Sequence, residues 1–505
     1  MKLEEQLHHR VCNQQFSRRD FLRSVSGGAA LSLVPGVIPA EPVTPAGKAF
    51  PLRGHYLILG RMPTVGLAQW KRILRHMQED RCNFLILWMG GGFRSRKFPI
   101  TWQYNREHKN IQKDFARELI DFGHSLGMRI VLGFTPFAYD GVNQYPLEHP
   151  ELKAYQQDGH LAKLDGMHCW GYALNPSKKE AQKFMLDYAS EMYFDFYPNA
   201  DGLFIESSDY STCYCPSCTG HYYEREFEFV LAISQRVWEQ RRDATVVVYP
   251  HYFSSSEIPR FGRGAEEKYD PRWTLFFTPH SAPIQTKLTG QASRSIYWEP
   301  LILETPEQGQ ASIRKARKTG INGLVFSLEY YTFVIRYPED GNWHLIGSRL
   351  KPFGYDWLPE IDDPYVYPLT RVLRIAFREF SQNPDISAET FRGVLKREIF
   401  QESTPASAVD DLLEWQKAYV TNRGFFTPGP LMKPELLGWQ LELGRVTPAE
   451  LQNYRQMLEG LKRIRRKYHE PNQDPNVKAM LEGIDWVLAH WAGKEQLLET
   501  SYSSL

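Results

Sequence analysis

Tyr56-Leu57-Ile58-Leu59-Gly60, the amphipathic run Gly66–Asp80, and Phe84-Leu85-Ile86-Leu87-Trp88 form the stretch that sets the architecture. The two outer runs are short and apolar throughout, the pattern of strands buried on both faces. The middle run places Leu67, Trp70, Ile73, Leu74 and Met77 on one face at helical spacing. Strand, helix and strand make one β-α-β unit, and the chain repeats it. Asp114–Leu126 reads as a helix and Arg129–Phe134 as a third strand; Asn175-Pro176-Ser177 caps a helix running through Phe196, and Gly202–Glu206 is a fourth strand. A helix over Tyr223–Arg241 precedes Ala244–Tyr249 and Trp273–Thr278, the fifth and sixth strands. Ser295–Glu299 is the seventh, Pro306–Thr319 a helix and Gly323–Leu328 the eighth, the helices between strands five and seven being short. Eight strands in this rhythm predict an α/β fold of the (β/α)8 TIM-barrel type. An open, doubly wound sheet is the competing arrangement, but Leu59-Gly60-Arg61-Met62-Pro63 lacks the glycine-rich phosphate loop that accompanies it.

After about Asp356 the pattern changes. Thr370–Phe380, Ser387–Phe400, Ser407–Tyr419, Ala449–Tyr468 and Val477–Leu498 are amphipathic stretches with no strand-like run between them. Ser387-Ala388-Glu389 and Thr447-Pro448-Ala449-Glu450 are good helix starts. The expected layout is a barrel over 50–355 and an all-α C-terminal domain over 356–505. Arg463-Ile464-Arg465-Arg466-Lys467 reads as a solvated helix face.

The chain has 505 residues with 60 Lys+Arg against 59 Asp+Glu, a balance that argues against capture of nucleic acid or an anionic membrane surface. Ser17-Arg18-Arg19-Asp20-Phe21-Leu22-Arg23, the small-residue apolar stretch Gly27–Ile38, and Pro39-Ala40 have the regions of an export signal. The segment resembles the bacterial twin-arginine signal. That resemblance implies hand-over to the twin-arginine export machinery, removal of residues 1–40 and a periplasmic or extracellular destination. An amphipathic N-terminal helix of a cytosolic protein is the competing reading. Without residues 1–40 the chain keeps 55 basic and 56 acidic side chains, which favours a neutral or weakly charged partner. No later segment approaches the roughly 18 apolar residues of a membrane span. Aromatic residues make up 14% of the chain, enough to supply both a core and stacking surfaces for a planar or sugar ligand.

In a barrel of this kind chemistry sits at the C-terminal ends of the strands. Glu206, Glu299 and Glu329 follow apolar runs there, where a carboxylate is costly unless paired or used. Trp88, Asp140, Asp209, Tyr210, His251, His280, Trp298 and Tyr330 occupy comparable positions. Two carboxylates and stacking rings are what glycoside hydrolysis needs: one acid protonates the leaving oxygen, and a second group attacks or activates water. The catalytic candidates are therefore Glu206, Glu299 and Glu329, with the other eight as substrate-binding candidates.

Asp201-Gly202-Leu203-Phe204-Ile205-Glu206-Ser207-Ser208-Asp209-Tyr210, running into Cys213-Tyr214-Cys215-Pro216-Ser217-Cys218, resembles the strand-four region of barrel glycoside hydrolases of the α-glucuronidase-like and hexosaminidase-like kinds. Phe377–Ser387, with its Asn383-Pro384-Asp385, is similar to a junction in the helical domain that follows the α-glucuronidase barrel. The resemblance implies Glu206 as general acid, with Glu299 and Glu329 as base candidates. Substrate-assisted hexosaminidases carry two adjacent acids after strand four, whereas Ser207-Ser208 separates Glu206 from Asp209 here. Two further functions compete: a non-catalytic carbohydrate-binding barrel, and an exported oxidoreductase. The second lacks a dinucleotide fingerprint, a haem Cys-x-x-Cys-His and an iron–sulfur run.

Catalysis of this type calls for no cofactor. Cys213-x-Cys215-x-x-Cys218 nonetheless has the density of a metal site, and a structural zinc with Cys169 or His221 as fourth ligand is one reading. A disulfide plus free thiols is the other. Cys82 reads as core.

Overall fold

The computed structural model describes residues 49–59, 66–103, 113–139, 141–166, 169–207, 213–250, 258–278, 287–291, 294–299, 305–327, 334–336, 343–345, 368–421, 431, 434–468 and 474–499. The twin-arginine segment lies outside them. Eight parallel strands close on themselves: β1 (Leu52–Ile58), β2 (Phe84–Trp88), β3 (Arg129–Phe134), β4 (Gly202–Glu206), β5 (Thr245–Tyr249), β6 (Thr274–Phe277), β7 (Arg294–Glu299) and β8 (Gly323–Ser327). Each pairs with its sequence neighbours, and β8 returns to β1 through Leu52↔Gly323 to Tyr56↔Ser327. The protein is thus a (β/α)8 barrel, and the eight expected strands are present within a residue or two of their sequence bounds, except that the first begins at Leu52, four residues before the expected Tyr56.

Register fixes which side chains enter the barrel. Tyr56 pairs with Ile86, and Ile58 with Trp88; Trp88 pairs with Gly133, Gly133 with Phe204, and Glu206 with Tyr249. Registered partners in a parallel sheet share a face, and the alternation of two carries each face along the strand. One face therefore holds Tyr56, Trp88, Phe204, Glu206, Tyr249, Phe276 and Trp298. The other holds His55, Leu57, Leu85, Ile205, Val248, Phe326 and Glu299. The second is the outer face, because Phe326 stacks on Phe377 of a covering helix at 5.4 Å.

The covering helices are α1 (Leu67–Glu79), α2 (Ala116–Ser125), α3 (Lys179–Ser190), α4 (Tyr222–Gln240) and α5 (Pro306–Lys318). Trp70, Ile73, Leu74 and Met77 are the buried face of α1, as the spacing requires. Between β5 and β6 the described residues form two single turns, Ile258–Phe261 and Gly264–Glu267. The helix expected from Asn175 starts instead at Lys179, because Asn175 turns its carboxamide oxygen to the Ser177 N–H at 3.0 Å and leaves the capping position to Lys178. Its last turn widens into a π-helix, Glu191–Phe196. Two antiparallel pairs, Lys163–Gly166 with Cys169–Tyr172 and Val334–Arg336 with Trp343–Leu345, lie outside the barrel.

A helical region follows: α6 (Pro368–Gln382), α7 (Ala388–Ile399), α8 (Ser407–Thr421), α9 (Pro434–Glu442), α10 (Pro448–Lys467) and α11 (Pro475–Trp491). Thr447 and Glu450 form a reciprocal capping box at α10, and Ser387 accepts from Thr390 N–H at α7. Helix α6 joins this layer to the barrel. Its Arg374 pairs with the buried Asp80 at 2.6 Å, and Phe377 meets His55 edge-on at 6.0 Å. Burial, with Arg374 nearby, pushes the His55 imidazole down to about 3, so it is neutral at physiological pH. Gln310 of α5 donates to the Pro384 and Ile386 carbonyls at 2.8 and 2.9 Å. No helix among the described residues is long and apolar enough to cross a membrane.

Candidate active site

The C-terminal mouth of the barrel is built on an aromatic floor. Phe204 of β4 meets Phe276 of β6 at 4.9 Å and Tyr56 of β1 at 5.7 Å, both edge to face, and Phe276 meets Tyr249 at 5.9 Å. One layer above Phe204 stands Glu206, half-buried at the end of β4. Tyr56 reaches across the barrel and donates its hydroxyl to Glu206 Oε2 at 2.9 Å. Beside Glu206 in register is Tyr249, whose hydroxyl shares a hydrogen bond with Thr278 Oγ1 at 2.9 Å. The result is a carboxyl group held by the Tyr56 hydroxyl above an aromatic floor.

The next residue anchors the end of β4. Ser207 donates to Glu226 of α4, and both side chains are buried, so the end of β4 is tied to the helix that follows. Glu191, in the π-helix, accepts from Ser95 Oγ at 2.5 Å and from Arg96 N–H at 2.8 Å. That clamps the loop after β2. Phe137 and Tyr139, in the loop after β3, both have left-handed backbones, with φ of 63° and 72°. Such strain costs on the order of 1–3 kcal/mol per residue and collects at functional sites.

Trp88 lies on the inner face with about 1% of its surface exposed. It packs over Gly90 and Gly133, where an added Cβ would fall 1.8 and 2.8 Å from the indole, and its ring meets Tyr139 at 5.9 Å. Trp88 is therefore part of the floor. Trp298 is half-buried on the inner face of β7. Glu299, the next residue, has the opposite parity: it pairs with Phe326, shares the outer face with His55, and is fully buried. The barrel does not bring Glu299 to Glu206. Asp140, Asp209, Tyr210, His251, His280, Glu329 and Tyr330 lie outside the described residues.

Sequence reading passed over Tyr56, Tyr249 and Thr278. The one sequence signal for Tyr56 was its hydroxyl at the start of an otherwise apolar run, which marks a polar group but not the face it takes. Glu191 and Glu226 carried no local signal, since each lies within an amphipathic helix.

The chain shares its fold with a solved glycosidase barrel. That structure is a GH138 enzyme targeting pectin rhamnogalacturonan II, matched with a TM-score of 0.52 at 11% identity over 90% of this chain and 59% of that one. The chain thus spans about three-fifths of that protein's length. A beta-N-acetylhexosaminidase matches with a TM-score of 0.43 at 12% identity, over 69% of this chain and 76% of that chain. Another, from Bacteroides fragilis NCTC 9343, matches with 0.43 at 11% identity, over 70% of each chain. At 11% identity the likeness to the GH138 enzyme is one of fold. No protein-family model matches the chain, and no curated protein does.

Behind the loop that follows β4, the sulfurs of Cys213, Cys215 and Cys218 lie within 4.8 Å of one another, and none is in a disulfide. His221 is not part of this group: its side chain is 62% exposed and hydrogen-bonded to Glu224. Cys82 is buried, as expected, and burial pushes its thiol well up.

Proposed function

We propose that this chain is an exported glycoside hydrolase in which Glu206 is the proton-transferring carboxyl group. The observation that carries the reading is the Tyr56–Glu206 hydrogen bond at the mouth of a closed (β/α)8 barrel, above an aromatic floor. Glu206 protonates the glycosidic oxygen as the sugar C–O bond breaks. A second carboxylate then attacks the anomeric carbon or activates a water molecule. Glu329 is the proposed partner, since it stands two positions after Ser327, which pairs with Tyr56 in register. Asp209 is proposed to orient the sugar. The half-buried Trp298 offers a stacking wall, and the near-neutral charge suits a neutral or singly charged glycan. The shared fold with a pectin-targeting GH138 enzyme makes pectic oligosaccharides the first substrates to try.

A glycan panel tests this, with pectic oligosaccharides, β-N-acetylhexosaminides and uronides offered to wild type and Glu206→Gln. The reading expects wild type to release sugar from at least one, and the variant to bind it while losing roughly 10²–10⁴-fold in rate. Binding without hydrolysis by wild type, unchanged in the variant, would establish a carbohydrate-binding barrel instead. For export, fractionation should find a chain processed near Ala40 outside the cytoplasm; an unprocessed cytosolic chain would remove that part.

A further inference from the structure

The three-cysteine cluster is outside the barrel chemistry, and its surroundings are those of a metal site. Cys213, Cys215 and Cys218 come from a single irregular segment joining β4 to α4, and their sulfurs converge within 4.8 Å. Cys213 and Cys218 are fully buried and Cys215 half-buried. The Cys218 and Thr219 N–H groups both donate to the Cys215 carbonyl at 2.9 Å, making the tight turn that brings Cys218 back toward the other two.

A second element supports the sulfurs. Asn175, itself buried, donates Nδ2 to Cys215 Sγ at 3.3 Å and accepts from Cys218 Sγ at 3.2 Å through Oδ1. Ser177 Oγ lies 3.8 Å from Cys215 Sγ. The Asn175 carboxamide thus joins the Ser177 turn to two of the cysteines. A third contact comes from the β3–β4 connection, where the Tyr155 carbonyl accepts from Tyr214 N–H at 2.8 Å. The Asn175 Nδ2–H donation to Cys215 Sγ is the kind of hydrogen bond that steadies a thiolate ligand, whereas the Cys218 S–H bond to Asn175 Oδ1 belongs to the protonated thiol and is given up when that proton leaves on metal binding.

We propose that Cys213, Cys215 and Cys218 bind one zinc ion, which fastens the segment after Glu206 to the Asn175–Ser177 turn. Tetrahedral zinc holds sulfur at about 2.3 Å, which sets ligand sulfurs about 3.8 Å apart, so a cluster of this width closes on the ion with small side-chain shifts. Three thiolates select a soft ion over magnesium or calcium. They fill three of four tetrahedral positions. A metal here would brace residues 213–221, which form bends and turns ahead of α4.

The test is metal analysis of the full chain purified without chelator, together with thiol counting before and after chelation. About one zinc per chain is expected, with the three cysteines unreactive until the metal is stripped. Cys215→Ser and Cys218→Ser should each lose the zinc, and Cys82→Ser should keep it. If the cluster variants do not fold, chelation and re-addition of zinc to wild type give the same readout. A two-hydrogen mass deficit marking a disulfide among the three, thiols that react equally with and without chelator, or stoichiometric copper or iron in place of zinc would each overturn the proposal. None of these readouts depends on sugar hydrolysis.

Discussion

Glu206 and Glu299 both end apolar strands, and backbone parity separates them. Glu206 lies on the inner face and receives the Tyr56 hydroxyl, whereas Glu299 sits on the outer face in line with Phe326 and His55. Two outcomes follow at this scale. Tyr56→Phe removes a hydrogen bond to the proposed catalytic carboxyl, a loss of about 1.5–3 kcal/mol when the acceptor is charged. The expected effect is a fall of roughly 10- to 100-fold in kcat/KM with little change in melting temperature, measured on the substrate the panel identifies. The second concerns His55, whose imidazole is held neutral by burial down to about pH 3, while in the unfolded chain it takes up its proton near 6.5. Between those values the unfolded state binds the extra proton, so stability present above pH 6.5 is lost as the pH falls toward 3. Denaturant titrations across that range should show the loss, and His55→Gln should flatten it.

At the scale of elements, the apolar runs were enough to place the strands. A strand buried on both faces must be apolar throughout, and β2 and β4 are so up to their last residue. What the same pattern cannot carry is facing, because a continuous apolar run has no alternation to read. The inner face became visible only through register, as with Trp88 against Gly133. That is why Glu299 read as a mouth acid and Tyr56 as filler. The hairpin Lys163–Gly166 with Cys169–Tyr172 was missed because it is short and lies inside a long β-to-α connection. Gly133 shows how tightly β2 and β3 are matched: an added Cβ would lie 3.0 Å from the Trp88 Cα as well as 3.1 Å from Phe204. Gly133→Ala is therefore expected to cost about 1–3 kcal/mol of stability, visible as a lowered denaturation midpoint with an unchanged slope.

For the molecule as a whole, α6 joins the barrel to the helical layer through the Arg374–Asp80 pair and the Phe326–Phe377 stack. The pair is buried, and desolvation raises the Asp80 carboxyl despite its arginine, so its energetic weight lies in not being broken. Arg374→Met leaves that acid buried alone and should cost about 3–5 kcal/mol; Asp80→Asn combined with it should recover part of the loss. The central claim, that the mouth of this barrel transfers a proton from Glu206 to a departing sugar, meets its most direct test in leaving-group dependence. Natural glycosides and aryl glycosides of the same sugar are compared in wild type and Glu206→Gln. If Glu206 is the acid, the variant loses roughly 10²–10⁴-fold on the natural linkage and far less on aryl glycosides whose leaving group needs no proton. An equal loss on both, or no loss on either, would contradict that assignment.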